Sequence, residues 1–277
     1  MAAVASVLDA RAHGGQWKVR IDDVDRHRAE PGATRTILRT LETYGFEWDG
    51  PVQYQHERTT RYREAAERLR AAGDAFDCGC SRRDVAAAGL AGLEGPVYPG
   101  TCRDGLPPGR HARSVRLRVP PGTVAFDDDW QGRVVQDVAR DIGDFVIWRV
   151  DDIAAYHLST VLDDADLGVT RVVRGVDLIA STPRQIVLQR LLGLATPVYA
   201  HHAVVTARGR KIGKRTHAPA VDDTAPAATL AAALEFLGQE PPADLAASGL
   251  DAAWAWARSH WRPEVLAAES PPIPRHG

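Results

Sequence analysis

Cysteine is scarce: there are three in 277 residues, and all fall between positions 78 and 102. That excludes a disulfide framework and points to a reducing compartment with one local task for the thiols. No apolar run approaches the ~18 residues of a membrane span, so a transmembrane protein is not expected. A signal peptide is not expected either, because the opening Met1-Ala-Ala-Val-Ala-Ser-Val-Leu8 has no basic residue before Arg11 and reaches Asp9 too soon. Low-complexity tracts and internal repeats are missing. With 44% hydrophobic and 25% charged residues, the composition is that of a folded chain. Neither sign of charge dominates. Residues 1–217 hold 31 basic and 28 acidic side chains, while 218–277 hold three arginines against eight acidic groups. Any nucleic-acid contact would therefore be a local patch on a balanced body. These absences predict a cytoplasmic protein of one large domain or two ordinary ones.

What is present alternates between helix and strand. Val4, Val7, Leu8 and Arg11 fit a helical period that stops at His13-Gly14-Gly15. A strand is expected over Trp17–Ile21, ending in the acidic cluster Asp22, Asp23 and Asp25, followed by a helix through Ile37, Leu38 and Leu41. Residues 57–72 read as an amphipathic helix carrying Tyr62, Ala65 and Leu69. From Phe76 to about Arg149 the texture changes to short segments rich in glycine and proline, with strand-like runs at 114–119, 134–135 and 145–150. Helix to Asp164, strand over 169–173 and helix over 181–192 then return, the last with Ser181 as its expected cap and Pro183 in its first turn. The tail from Pro219 is Ala-rich and helical, closing with Trp254, Trp256 and Trp261. This order predicts an α/β fold. The chain opens inside its first helix, where an α/β domain usually opens on a strand and a ligand-binding turn, so an element is expected in front of it.

Four constellations carry chemistry. Cys78-x-Cys80 with Cys102 offers three thiolates for a tetrahedral Zn²⁺. Tyr98 is the nearest oxygen donor for a fourth position and His111 the nearest histidine; three reduced buried cysteines are the plainer alternative. The loop Arg208–Arg215, with Lys211 and Lys214, suits phosphate oxygens, although such a charge run is more often simply solvated. Asp22, Asp23 and Asp25 at a strand end can hold an ammonium group or Mg²⁺, or cap the next helix. Tyr156, the pair Asp163–Asp164, and Arg174 at the end of an expected strand form the last group. Such an arginine suits a carboxylate ligand or a structural ion pair.

In their order, RIDDVD (20–25), YHLSTVLDD (156–164), RGVDL (174–178), STPRQ (181–185) and KIGKR (211–215) resemble the catalytic core of class I glutamyl-tRNA synthetases. The likeness covers about residues 2–262. The short stretch after KIGKR, with no room for an anticodon-binding domain, and the Cys-x-Cys…Tyr…Cys pattern are similar to the glutamyl-Q tRNA(Asp) synthetase family. That resemblance implies a Rossmann-type nucleotide-binding fold split by a zinc-bearing insertion, with a helical C-terminal segment. Residues 1–75 and 153–205 would be the two halves of the fold, 76–152 the insertion, and 206–277 the KMSKS-type loop and helical segment. The first half would lack the family's opening strand and HIGH-type motif, as expected of a start placed too late. Activation of L-glutamate with ATP and Mg²⁺, and its transfer to queuosine of tRNA(Asp), is the implied activity of a monomer.

The resemblance also implies roles. Asp22, where the family carries a glutamate, would contact the amino group of the substrate, and Tyr156 and Arg174 would contact glutamate, Arg174 at its side-chain carboxylate. Lys211 and Lys214 would serve the KMSKS-type loop, Lys214 on ATP, and Cys78, Cys80, Tyr98 and Cys102 would be the zinc ligands. Gly213 stands for the usual serine and His157 for a usual glutamine. A tRNA-binding remnant without activation is the alternative that the missing HIGH-type motif implies.

Overall fold

The computed structural model describes residues 1–26, 30–88, 91–93, 95–204, 206–207, 210–211, 221 and 223–267. Helix α1 (Ala2–Ala12) buries Val4, Val7 and Leu8 and ends at His13, as its pattern predicts. Strand β1 (Arg20–Ile21) runs parallel to β2 (Gln53–Tyr54), with α2 (Ala33–Thr43) as their crossover and α3 (Thr59–Ala71) after them. The strand expected over Trp17–Ile21 is thus shorter. Trp17 and Val19 are extended and accept amides from Asp49 and Gln53, but only Arg20 and Ile21 form a ladder.

A second group of strands follows. β3 (Ala75–Cys78) pairs with β4 (Ser114–Leu117), which pairs with β7 (Val146–Trp148), all antiparallel, with the short α4 (Arg82–Ala87) in between. The hairpin β5 (Val124–Asp128) and β6 (Gly132–Gln136), followed by the four-residue α5 (Val138–Asp141), joins a different sheet. There β5 lies beside β9 (Val198–His202), which is parallel to β8 (Arg171–Gly175), giving the order β6-β5-β9-β8. Helix α6 (Tyr156–Asp166) leads into β8, and α7 (Thr182–Leu192) leads from it to β9. Backbone pairs in β10 (Thr206–Ala207) and β11 (Arg210–Lys211) form a small hairpin, and α8 (Pro226–Phe236) and α9 (Leu250–Ser259) complete the described chain.

Two apolar clusters hold these layers together. One joins Tyr62 and Leu69 of α3 to Leu117, Ile147, Leu158, Leu162, Ile186 and Leu188. The other packs α1 under α8 and α9, where Trp254 sets its ring 5.1 Å from Phe46 and donates its indole N–H to the Tyr44 carbonyl at 2.8 Å. Ser181 does not cap α7 with its side chain. A 3₁₀ helix over Val176–Ser181 runs straight into α7, so Ser181 is already helical (φ −78, ψ −26) and its hydroxyl is turned elsewhere.

Candidate functional site

Strand β8 borders the four-stranded sheet and β1 borders the two-stranded one, and between these two edges lies a cleft of about 1020 Å³. Its walls include Arg20, Asp22, Tyr156, Thr160, Asp164 and Arg174. Asp22, Tyr156 and Arg174, singled out far apart in the sequence, therefore meet at one opening.

Helical spacing explains how neighbouring aspartates of α6 do different work, since successive side chains point about 100° apart. Asp164 faces the cleft and accepts Arg20 Nη1 at 2.5 Å, while Arg20 Nε donates to Asp22 at 2.6 Å. Burial raises the Asp164 carboxyl above the usual carboxylate range, with Arg20 pulling in the opposite direction. Asp163 faces away and is wholly buried. Gln55 Nε2 at 2.8 Å, Arg58 Nε at 2.7 Å and the Tyr62 hydroxyl at 2.8 Å all donate to it. Asp22 does not cap the next helix: the residue before α2 is Gly32, in a left-handed conformation.

Arg174 is 9% exposed and makes no ion pair within 4.0 Å among the described residues. Its Nε donates to His201 Nε2 at 3.0 Å, and its Nη2 donates to Thr182 Oγ1 at 2.8 Å and Gln185 Oε1 at 2.7 Å. All three acceptors are neutral groups. A buried cation whose direct partners are neutral keeps hydrogen-bonding capacity for an anionic ligand: among the described residues no carboxylate lies within 4.0 Å of it, and Asp164 acts on it only from a longer distance. The structural ion pair considered for Arg174 is thereby excluded among the described residues. His157, beside Tyr156 on α6, is pushed by burial and by Arg184 and Arg174 down to about 3, which keeps the ring neutral next to the cleft.

Outside the cleft, within residues 78–102, the thiols converge. The sulfurs of Cys78, Cys80 and Cys102 lie within 4.8 Å of one another, all buried. Cys80 and Cys102 are 3.8 Å apart, and the Tyr98 hydroxyl lies 3.5 Å from Cys78 Sγ and 4.0 Å from Cys80 Sγ. A tetrahedral zinc with Zn–S bonds of about 2.3 Å requires S···S separations of about 3.8 Å. The Cys80–Cys102 separation matches that requirement and Cys78 Sγ lies within 4.8 Å of both, with the Tyr98 oxygen beside them, whereas His111 is exposed and outside the cluster. Gly79 permits the close approach of the Cys-x-Cys segment to the chain at His111, since a Cβ there would meet the His111 carbonyl at 2.9 Å. Burial raises the Cys78 thiol, but hydrogen bonds with Tyr98, the Cys80 amide and Arg116 more than offset that and leave it below the usual thiol range. Arg116 also lies 4.1 Å over the Tyr98 ring, so positive charge flanks the cluster.

Of the basic loop, only the backbones of Arg210 and Lys211, in β11, are described; Lys214 lies outside the described residues. Three contributors went unnoticed in the sequence: Asp128, His201 and Thr160. Asp128 and His201 occupy inward positions of strands β5 and β9 that the apolar pattern did not mark. No helix among the described residues is long and apolar enough to cross a membrane.

Comparison with known proteins agrees with this arrangement. The family described as tRNA synthetases class I (E and Q), catalytic domain, matches residues 1–229. The Glutamyl-Q tRNA(Asp) synthetase of Aromatoleum aromaticum is 52% identical over 276 residues, covering 98% of this chain and 87% of that protein. The one from Dechloromonas aromatica is 51% identical over 273 residues, covering 98% and 91%. Among solved structures, a glutamate-tRNA synthetase from Elizabethkingia anophelis superposes with a TM-score of 0.75 at 20% identity. A glutamate tRNA ligase from Elizabethkingia meningosepticum, in complex with its amino acid, gives 0.74 at 20%. Each superposition covers 96% of this chain and 62% of the solved one, and at that identity the likeness establishes the fold alone.

Proposed function

The chain belongs to the glutamyl-Q tRNA(Asp) synthetase family within the class I tRNA synthetases (E and Q), and on that premise we propose that it activates L-glutamate with ATP and transfers it to queuosine of tRNA(Asp). As a member of that family it is an aminoacyl-tRNA synthetase-like ligase. The observation that carries the proposal is the meeting of Asp22, Tyr156 and Arg174 at one cleft.

The charges there complement glutamate. Arg174 supplies a cation with neutral direct partners for the side-chain carboxylate, and Asp22 the anion for the amino group, with Tyr156 on the same cleft wall. A carboxylate oxygen of the α-carboxyl then attacks the α-phosphorus of ATP in line. The new C–O–P bond forms as the bond to the bridging oxygen breaks, and pyrophosphate leaves with that electron pair. Next a queuosine hydroxyl attacks the activated carbonyl, its proton is released, and AMP departs as the ester forms. Both steps depend on positioning and charge neutralisation, so no covalent nucleophile of the protein is needed. Lys211 and Lys214 of the 211–215 loop are assigned to the ATP phosphates, with Mg²⁺ accompanying the nucleotide. The chain acts as a monomer in this reading, in the cytoplasm. A tRNA-binding remnant is not favoured, because pure binding would need no groups complementary to an amino acid.

We assign Cys78, Cys80, Tyr98 and Cys102 to one zinc ion, held in an insertion over 76–152 that divides the nucleotide-binding fold into 1–75 and 153–205, with 206–277 as loop and helical segment. Zinc there would tie β3 to the 98–102 turn, a structural role remote from the cleft. Native mass spectrometry of the purified protein is expected to read one zinc per chain, lost in Cys102→Ser; a metal-free chain of unchanged stability would contradict the assignment. Transfer of labelled glutamate to tRNA(Asp) with and without queuosine tests the function itself.

A further inference from the structure

Behind Arg174 stands a fully buried pair that is not itself part of the cleft wall. Asp128 ends β5 and His201 lies in β9; both side chains are 0% exposed. His201 Nδ1 is 2.5 Å from Asp128 Oδ2. Asp128 Oδ1 accepts three backbone amides, from Trp130 at 3.1 Å, Gln131 at 3.0 Å and His201 itself at 3.1 Å. A carboxylate receiving this many N–H donors is held as the anion. Its carboxyl is lowered accordingly, burial opposing and the His201 contact prevailing. An anionic Asp128 requires the proton of a neutral His201 to be on Nδ1, and Nε2 is then a bare lone pair. That lone pair lies 3.0 Å from Arg174 Nε.

We infer that Asp128 and His201 form a positioning relay that fixes the plane of the Arg174 guanidinium in the cleft. Thr182 Oγ1 also lies 3.3 Å from His201 Nε2; with the ring proton on Nδ1 facing Asp128, the Thr182 hydroxyl and the Arg174 Nε–H both donate to that one lone pair. With Nε anchored on His201, and Nη2 on Thr182 and Gln185, the plane is pinned along one edge, which leaves Nη1 as the donor for a ligand. The other histidine tautomer would set an N–H against the Arg174 Nε–H, two donors facing each other, and would release that edge. A protonated His201 would do the same, and burial already lowers its basicity. The choice of histidine also keeps a carboxylate out of contact with Arg174, so orientation is gained without neutralising the charge that an acidic ligand needs. Asp128 acts through His201 and never meets the ligand; it is a positioning residue, as is His201. The inference rests on the reading of Arg174 as the grip on the glutamate side-chain carboxylate.

The discriminating variant is Asp128→Asn, which preserves shape but presents an amide N–H₂ to the ring and so drives the Nε2–H tautomer. Equilibrium binding of L-glutamate and of ATP to the full chain, by calorimetry, reads the effect without requiring turnover. Asp128→Asn and His201→Leu are each expected to weaken glutamate about 10- to 100-fold, the range for losing a hydrogen bond to a charged group, with ATP affinity unchanged. His201→Gln, which can return an acceptor oxygen to the Nε2 position, is expected to stay within about threefold of the parent. Equal glutamate binding by Asp128→Asn and the parent overturns the relay. If Arg174→Gln also leaves glutamate binding unchanged, it is the reading of Arg174 that has failed. The imidazole nitrogen resonances of His201 in the unaltered protein provide a check independent of any variant's folding. Protonated Nδ1 with bare Nε2 is the expected signature, and the reverse assignment overturns the proposal.

Discussion

Replacing Arg174 by glutamine is expected to lower glutamate-dependent ATP–pyrophosphate exchange by about 100- to 1000-fold in kcat/KM for glutamate, leaving the KM for ATP within about threefold. The magnitude follows from removing one partner of a desolvated charge pair, a loss of about 3–4 kcal/mol at about 1.4 kcal/mol per tenfold. Glutamine is uncharged yet can still bond to Thr182 and Gln185, which lie 2.8 and 2.7 Å from Arg174 Nη2, so the variant tests charge more than shape. Arg174→Lys should be almost as impaired. A lysine retains the charge but cannot set three donors in one plane against His201, Thr182 and Gln185. Discrimination between glutamate and glutamine should collapse in Arg174→Gln, because the substrate carboxylate no longer has a cation to meet. A change of less than fivefold would remove Arg174 from the substrate site.

Asp163→Ala is expected to be the most destabilising single change in the described body, by about 3–5 kcal/mol. The Asp163 side chain is 0% exposed and ties α6 to α3 and β1 through Arg58, Tyr62 and, at 3.7 Å, Arg20. Alanine would leave the Tyr62 hydroxyl and the Gln55 amide unpaired in the core, and Arg58 with only Asp166. Against a total stability of about 5–15 kcal/mol, that is a drop in Tm of roughly 10 °C. Urea unfolding at matched m-value measures it. Asp163→Asn should lose less, because its carboxamide oxygen still accepts from Arg58 and Tyr62. A cost below about 1 kcal/mol for alanine would mean that the three donors, Gln55, Arg58 and Tyr62, find other partners.

These two neighbours on α6 illustrate what the sequence could and could not convey. The helix itself was plain from its period, and the pair Asp163–Asp164 stood out as chemistry, but nothing local distinguishes the buried tie from the residue facing the cleft. Only the packing of α3 against α6 assigns them. Helices α1 and α3 were legible because apolar residues recur in them at helical spacing, and α7 from its start, where Pro183 sits in the first turn although Ser181 does not cap it. Strands β5 and β9 were not. In β5, Val124 and Phe126 alternate inward as a strand pattern requires, but the next inward residue is Asp128; β9 ends in two buried histidines. Polar residues at inward positions erase the apolar signature, and here they are the very groups that support Arg174. The cysteine cluster was legible by spacing and composition, while its fourth donor, Tyr98, needed either a family resemblance or the distances. Lys211 and Lys214 remain assigned by resemblance, since Lys214 is outside the described residues.

Glutamate transfer to a modified tRNA is the most direct test of the proposed function. The chain, incubated with ATP, Mg²⁺ and labelled L-glutamate, is offered tRNA(Asp) carrying queuosine, the same tRNA lacking it, and tRNA(Glu). Label bound through an ester to the queuosine-bearing tRNA(Asp) alone, and absent when Arg174 is glutamine, is the predicted result. Label on tRNA(Glu), or none on any of the three from a folded and zinc-loaded chain, would contradict it.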